Sequence, residues 1–509
     1  MSRRLRPMLV PDWPKLAWVS RLQPLSIDVP VWHGPMVEVA EDWLAEAVWD
    51  GDFQAGHFDQ TDLVFGSGIR VRGDNLHVVN SATMVDRLWH VQKNGAFFVS
   101  NSLPAILAAA ELELRDDYPR YVQDIGSIDT QGYRGYQRSI VTRSQPVDIL
   151  YYDNLAFDGQ QLRVLPKPRK ARQFVPFAAY RDFLVDTARR LVGNCVDPAR
   201  RYPVAPLVGV SSGYDSPAVA AVAKAAGCVQ AVTIANATAL LPSSDDGSAV
   251  AAQLGMSCRS YIHHPSAYRN EIAVWAACGH PGGLNLTIFD YPQPLSLLLA
   301  GNYGDTVWNK APRDISNPLG DSDALISEFR LAEGVFHCLV PWWGIWDADQ
   351  INRLGATPEM QPWSIGGSYD RPVPRRLAEE AGAAREAFGR RKRLTASNRP
   401  FRWPYSREAQ RQFRNYLRAR GVYAPGRLEV ALLRRAVLLL HLIRLNVKLP
   451  GWLRDRLEPW RAMRCQSMLF QWANWELKQT YQNGLHLAGR DELKGSSGDF
   501  SLGKVTKEP

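Results

Sequence analysis

A chain of 509 residues with 46% hydrophobic residues, 17 Trp and a net charge of +9 has room for two or three cores and is too apolar for a disordered scaffold. No charge-free apolar run reaches about eighteen residues, so no membrane-spanning helix is expected. Its six cysteines (Cys195, Cys228, Cys258, Cys278, Cys338, Cys465) contain no C-x-x-C pair, a pattern of buried thiols in a reducing cytoplasm rather than of a disulfide frame or zinc site.

The start, MSRRLRPML, has a twin arginine, but VPDWPKLAW follows where a signal peptide needs an apolar stretch, so none is expected. Residues 1 to about 165 read as strand-rich: TDLVFGSGIRVRG and DNLHVVN alternate with period two between Gly, Asp and Asn turn signals. RVLPKPRKAR (163–172) reads as a linker. From Phe174 the pattern becomes helix, strand, turn, helix up to Gly227. CVQAVTIAN (228–236) then reads as a second buried strand and SAVAAQLG (248–255) as a helix. Such alternation implies a parallel sheet with helices on both faces. From 406 to about 483 the apolar spacing is helical, as in LEVALLRRAVLLLHLIRLNV (428–447). Beyond Leu485, Gly, Ser and charged residues predict a disordered tail.

Charge is unevenly placed. Residues 371–464 hold 24 Lys/Arg against 7 Asp/Glu, a balance of +17 that leaves the remainder at −8. Such a block suits phosphates, nucleic acid or an anionic membrane, and equally a solvated helical surface. The helix over 430–447 is expected to pack against the protein with snorkelling arginines rather than to lie on a membrane.

The stretch LVGVSSGYDSPAVAAVAKAAG (207–227) carries the most chemistry. LVGV suits a buried parallel strand. Ser216 is suited to cap the following helix and Pro217 to its first turn, where a missing N–H costs nothing. Ser211 to Ser216 would then link a strand's carboxyl end to a helix N-terminus, where open α/β sheets bind ligands and backbone N–H groups meet phosphate. Asp215 makes sense there if it holds a cation that bridges to the phosphates. The alternative is an ordinary strand–helix turn with a capping Asp.

This segment resembles the S-G-G-x-D-S pyrophosphate loop of the ATP pyrophosphatase superfamily. Three further stretches resemble asparagine synthetases in order and spacing: MVDRLWHVQKNGAFFVSNSLPAILAA (84–109), AGNYGDTVWN (300–309) and YDRPVPRRLAEEAGAAREAFGRRKRL (369–394). The resemblance covers roughly residues 60 to 400. It implies an α/β protein: an Ntn-hydrolase-like β-rich domain over 1–165, then an adenine-nucleotide α-hydrolase-like, parallel-sheet synthetase domain over 174–400. A basic helical extension over 401–484 and the tail over 485–509 complete the expected division. The chemistry implied begins with a carboxylate attacking the α-phosphorus of ATP; an amine then displaces AMP. Such chemistry demands positioning and charge neutralisation. Ser211, Ser212, Gly213, Asp215 and Ser216 would cradle the pyrophosphate, Asp215 and Asp305 would hold Mg²⁺, and Lys392 would face the charge developing at the α-phosphate.

Departures from the family pattern redirect the expected product. Glutamine-dependent members begin with a cysteine nucleophile, but Ser2 stands here and no thiol precedes Cys195. The front half is therefore expected to be vestigial, as in β-lactam synthetases and lasso-peptide cyclases, which use an amine already present on a substrate. Ser212 replaces a family glycine and Pro217 a small polar residue; Thr306 follows Asp305 where asparagine synthetases have glutamate. In the family run E-x-R-x-P-F, His337 replaces the glutamate and Leu339 the arginine, which argues against an asparagine product. A His337–Tyr303 pair would act as base toward the amine; the alternative is a structural histidine. Asp245 and Asp246 read as a helix cap or a substrate contact, and His263 and His264 diverge too far to form a metal site. Three functions compete. The first is an amide ligase without glutaminase activity, cytoplasmic, acting on a small-molecule or peptide carboxylate and amine, with ATP and Mg²⁺. The second is a pyrophosphatase-loop enzyme that modifies an RNA base, and the third a non-catalytic binding protein. Nucleic acid is the disfavoured partner, and homo-oligomerisation is left open.

Overall fold

The computed structural model describes residues 3–238, 242–243, 245–310, 317–320, 325–367, 369–389, 401–446 and 464–495. The front region builds two sheets. One has seven strands in the order Arg4–Leu9, Asp28–His33, Trp18–Leu22, Ala96–Ser100, Leu88–Lys93, Val147–Leu150, Ser139–Ile140. The other has six, in the order Leu162–Leu165, Asn154–Phe157, Asn75–Val79, Val64–Arg72, Trp43–Trp49, Glu38–Val39. Neighbours run antiparallel except at one edge, where Arg4–Leu9 lies parallel to Asp28–His33. Trp18, Leu44, Ile69, Leu88, Leu155 and Phe157 fill the space between the sheets, as the period-two alternation predicts.

Strand Trp43–Trp49 is buried along its whole length. Leu44 belongs to the inter-sheet core, whereas Trp43, Ala45 and Ala47 belong to a second core on the opposite face. That second core continues through helix Phe177–Cys195 into the parallel sheet, so the front and back halves share one continuous apolar interior. The stretch 163–172 is correspondingly anchored. Leu162–Leu165 is a strand paired with Asn154–Phe157, and Lys167 is buried, donating to Asn80 O at 2.7 Å and Asn154 Oδ1 at 2.8 Å. Arg172 grips Asp62 through two bonds of 2.6 and 2.7 Å. The linker expected there is instead a fixed strap. Its Pro and Lys/Arg content looks like a linker, but long-range partners hold it.

The back half contains a five-stranded, wholly parallel sheet in the order Ser257–Tyr261, Gln230–Ile234, Val204–Gly209, Leu295–Ala300, Val335–Leu339. Both faces are covered. Val208, Leu297 and Leu299 enter one core with helices Phe177–Cys195 and Asp215–Ala225. Leu207, Val232 and Leu298 enter another with helix Glu271–Cys278 and the C-terminal helices. Alternate residues of one strand thus serve opposite layers. Helices Arg407–Ala419, Arg427–Asn446 and Leu469–Gly495 form the extension; Trp403 meets Phe413 edge-on and Phe413 meets Trp472 at a tilt, with ring centroids 5.0 and 5.1 Å apart. The last helix carries the chain past Leu485, where the tail was expected to begin, to Gly495. Among the described residues no helix is long and apolar enough to cross a membrane.

Candidate active site

In chain order the parallel strands lie 3-2-1-4-5. The order reverses between Val204–Gly209 and Leu295–Ala300, and connections leave these two neighbouring strands toward opposite sides. That parts the loops at their carboxyl ends and opens the crevice in which doubly wound sheets bind ligands. The two motifs singled out from the sequence are those two loops. Helix Asp215–Ala225 follows the first and the short helix Gly304–Val307 the second.

The loops touch because glycines let them. A Cβ on Gly301 would fall 2.9 Å from the Asp215 carbonyl carbon and Ser216 N, and one on Gly304 would fall 2.6 Å from Asp215 Oδ1. Any side chain at either position would push the second loop off the first. Between these glycines Tyr303 takes a left-handed backbone, φ 75°, which is uncommon for a bulky residue and signals a conformation fixed by its surroundings. Its hydroxyl donates to Gly320 O at 3.2 Å and its ring meets Trp342 edge-on at 4.7 Å.

The first loop is held by its own hydroxyls. Ser216 Oγ accepts from Ser211 N at 2.8 Å and lies 2.9 Å from Ser211 Oγ, which in turn accepts from Gly213 N at 3.2 Å. The helix begins at Asp215, so Ser216 sits inside its first turn and bonds back across the loop instead of capping. Ser212 turns toward the neighbouring loop, donating to Asp245 Oδ1 from Oγ at 2.7 Å and from N at 3.2 Å. Asp246 accepts from Ser248 N at 2.9 Å, at the first residue of helix Ser248–Gln253, whose N-cap position is Gly247. Gly389 N donates to Ser212 O at 2.9 Å, so the closing segment reaches the first loop at Gly389.

Charge is arranged around Asp215. Arg371 donates to both of its carboxylate oxygens, at 3.0 and 2.9 Å, with side chains 9% and 23% exposed for Arg371 and Asp215. Beside them burial, followed by the negative charge of Asp215, pushes the Tyr369 phenol up to about 12. Arg375, fully buried, donates to Tyr214 Oη at 2.8 Å and lies over its ring, bracing the loop from behind. Tyr214, Asp215, Tyr369 and Arg371 border a cleft of about 530 Å³, which Leu286, Phe289 and Leu319 also line. Charged and polar groups thus share the cleft with apolar ones, the composition of a small-molecule site.

Ser211, Gly213, Asp215, Ser216, Tyr303 and Asp305 all border this cleft. Ser212 does not, its hydroxyl being engaged by Asp245. His337 is buried in the edge strand, in register with Leu298, and is not among the described residues lining the cleft. Lys392 and Ser2 lie outside the described residues. His263 bonds to Tyr268 Oη, and His264 Nδ1 lies 2.7 Å from Ser266 Oγ. Arg371 and Tyr369 were missed as site residues. The signal existed, since both open the closing segment YDRPVPRR, but nothing local says which of its three arginines turns toward the cleft. A scan against protein-family models and a search of curated proteins return no match for this chain.

Proposed function

We propose that this chain is an ATP-dependent, AMP- and pyrophosphate-forming amide ligase of the asparagine synthetase-like type, without glutaminase activity. The observation that carries the proposal is the convergence of the Asp215 and Asp305 loops on one cleft at the switch of a parallel sheet. The asparagine synthetase-like motifs and the β-rich region before the sheet support the finer assignment of an Ntn-hydrolase-like front domain and a nucleotide α-hydrolase-like back domain.

The residues present fit a metal-bound nucleotide. Two carboxylates, the Ser211 and Ser216 hydroxyls and the start of the eleven-residue helix Asp215–Ala225 face the same cleft, and the glycines at 301 and 304 leave no side chain between the loops. Asp215 and Asp305 would hold Mg²⁺, whose charge would ease departure of pyrophosphate. Ser211, Gly213 and Ser216 would bind and orient the β- and γ-phosphates. Arg371 would supply a fixed cation beside them, and Lys392 is the residue to which the resemblance assigns the charge at the α-phosphate. Leu286, Phe289 and Leu319 would exclude water from the activated carboxylate. Tyr303, in the second loop, borders the cleft and would be the group that acts on the incoming amine. Within residues 3–194 there is no thiol, and burial pushes that of Cys195 up to about 12; in this reading the amine would come from a substrate rather than from glutamine hydrolysis.

Incubating the protein with Mg²⁺, ATP and a library of carboxylates, with release of AMP and pyrophosphate as the readout, tests the proposal. Release of ADP and phosphate instead, or no AMP with any acid–amine pair, would reject it.

A further inference from the structure

Four arginines of the C-terminal extension gather on one side of one helix. In Arg407–Ala419 the residues Arg407, Arg411, Arg414 and Arg418 recur at intervals of four, three and four, which sets them on one face. Arg427, at the start of the next helix, faces them across a cavity of about 410 Å³ bordered otherwise by Glu408 and Asn415. Five arginines and one carboxylate border one hollow. Arg414 forms its floor: it is 8% exposed, and its Nε donates to Pro425 O at 3.0 Å. Burial, and after it the positive charges of Arg427 and Arg418, lower its affinity for a proton, which registers how close the like charges stand. Arg411 is the only one of the five that meets the carboxylate within the hollow, pairing with Glu408 at 2.6 Å. Arg407, Arg411, Arg418 and Arg427 are exposed. Along the helix that starts with Arg427, Leu428 and Leu432 are 83% and 66% exposed, four residues apart and so on one side of it, exposed apolar surface that a solvated basic helix does not require.

We propose that this hollow is a docking site for an acidic peptide segment, with carboxylates against the arginines and an apolar residue against Leu428 and Leu432. The helix rises roughly 16 Å from Arg407 to Arg418, the length of about five extended residues. Guanidinium forks match carboxylates in a bidentate way. Single-stranded RNA is the poorer fit because no aromatic face lines the hollow among its described residues, and stacking is what such strands use. A bilayer is flat and cannot enter a concave site between two helices. The docking site stands apart from the ATP chemistry and does not depend on it.

The test uses the full-length protein and a fluorescent ten-residue peptide of alternating Glu and Leu, its Gln-for-Glu counterpart, a twenty-residue oligouridylate, and vesicles containing 30% phosphatidylserine. The Glu peptide should bind and the Gln peptide should not. Binding should weaken at least tenfold in R411E/R418E, and should hold within twofold in R163E/R189E, an equal charge change at exposed positions elsewhere. Both variants replace exposed side chains, and matching circular dichroism would verify their folds. Equal losses in the two variants would reduce the site to a diffuse field and overturn the proposal. Tighter binding of oligouridylate or of vesicles, abolished by R411E/R418E, would overturn the choice of partner.

Discussion

The ion pair between Arg371 and Asp215 makes the sharpest prediction. A guanidinium sits on the carboxylate proposed to hold Mg²⁺, so within the cleft it takes the part of a cation. Removing one partner of a fully buried pair costs about 3–5 kcal/mol. Here the carboxylate keeps 23% of its exposure, and solvent screens part of the loss, which brings the expected coupling to about 1–3 kcal/mol. A double-mutant cycle of Arg371→Met, Asp215→Asn and both together, followed by urea unfolding, isolates that coupling from the packing of the long side chain. Arg371→Met should also make stability respond more strongly to added Mg²⁺, because the carboxylate loses its guanidinium partner and a bound cation stabilises the folded state by mass action. Coupling below about 0.3 kcal/mol, or a Mg²⁺ response equal to that of the unaltered protein, would refute the idea that Arg371 stands in for the metal.

Asp215→Asn and Asp305→Asn should each abolish pyrophosphate exchange into ATP while circular dichroism stays unchanged; exchange surviving in both would dissolve the two-loop site. Gly304→Ala should cut AMP release at least tenfold, since its Cβ would collide with the Asp215 carboxylate, and unaltered kinetics would show that the loops need not touch. Lys392→Ala should slow turnover roughly 10²–10³-fold, with incomplete rescue by Lys392→Arg and small effects of alanine at Arg390, Arg391 and Arg393; equal losses at all four would mark a diffuse basic surface. Glu328, wholly buried beneath Ser102 and Leu103 N, has its carboxyl raised by burial to about 7. Folding then takes up a proton as pH rises from about 4.5 to 7, stability falls through that window, and Glu328→Gln should be the more stable form above pH 7. Identical stability–pH curves for the two forms would contradict it.

Much of the back half was legible because the signals are local. Apolar runs four to six residues long, a small-residue turn and an alanine-rich helix mark strand, loop and helix wherever they occur, and their alternation requires parallel pairing. The turn expected over Ser211–Ser216 lies between strand and helix for that reason, although the helix begins two residues earlier than expected, at Asp215. What escaped depends on partners distant in sequence. Ser216 looks like a cap, yet its hydroxyl bonds back to Ser211, because the loop is tight enough to bring the two together. Ser212 looks like a phosphate donor until Asp245, supplied by the next strand–helix connection, claims it. Arg371 lies more than 150 residues from Asp215, and no periodicity reports a contact of that range. The strap at 163–172 misled for the opposite reason: its composition is that of a linker, and only the buried carbonyl and amide partners of Lys167 reveal that it is fixed.

A front region that has no thiol nucleophile still has a physical role in this chain. Its strand Trp43–Trp49 offers one face to its own sheet partner and the other to helix Phe177–Cys195 of the back half. At the same boundary Arg330 is fully buried, bridging Glu46 at 2.7 Å and Asp86 at 2.7 Å across the two halves. Removing the front region would strand that guanidinium, the Glu328 carboxyl and an apolar face, and buried groups of this kind cost several kcal/mol when they lose their partners. Arg330 also lies in helix Ser327–Glu333, which leads directly into the edge strand Val335–Leu339 of the parallel sheet. The front region therefore fixes the approach of that edge strand, and through its neighbour Leu295–Ala300 it supports the loop that carries Asp305. The two halves hold together as one body because the inner face of each completes a core that it shares with the other.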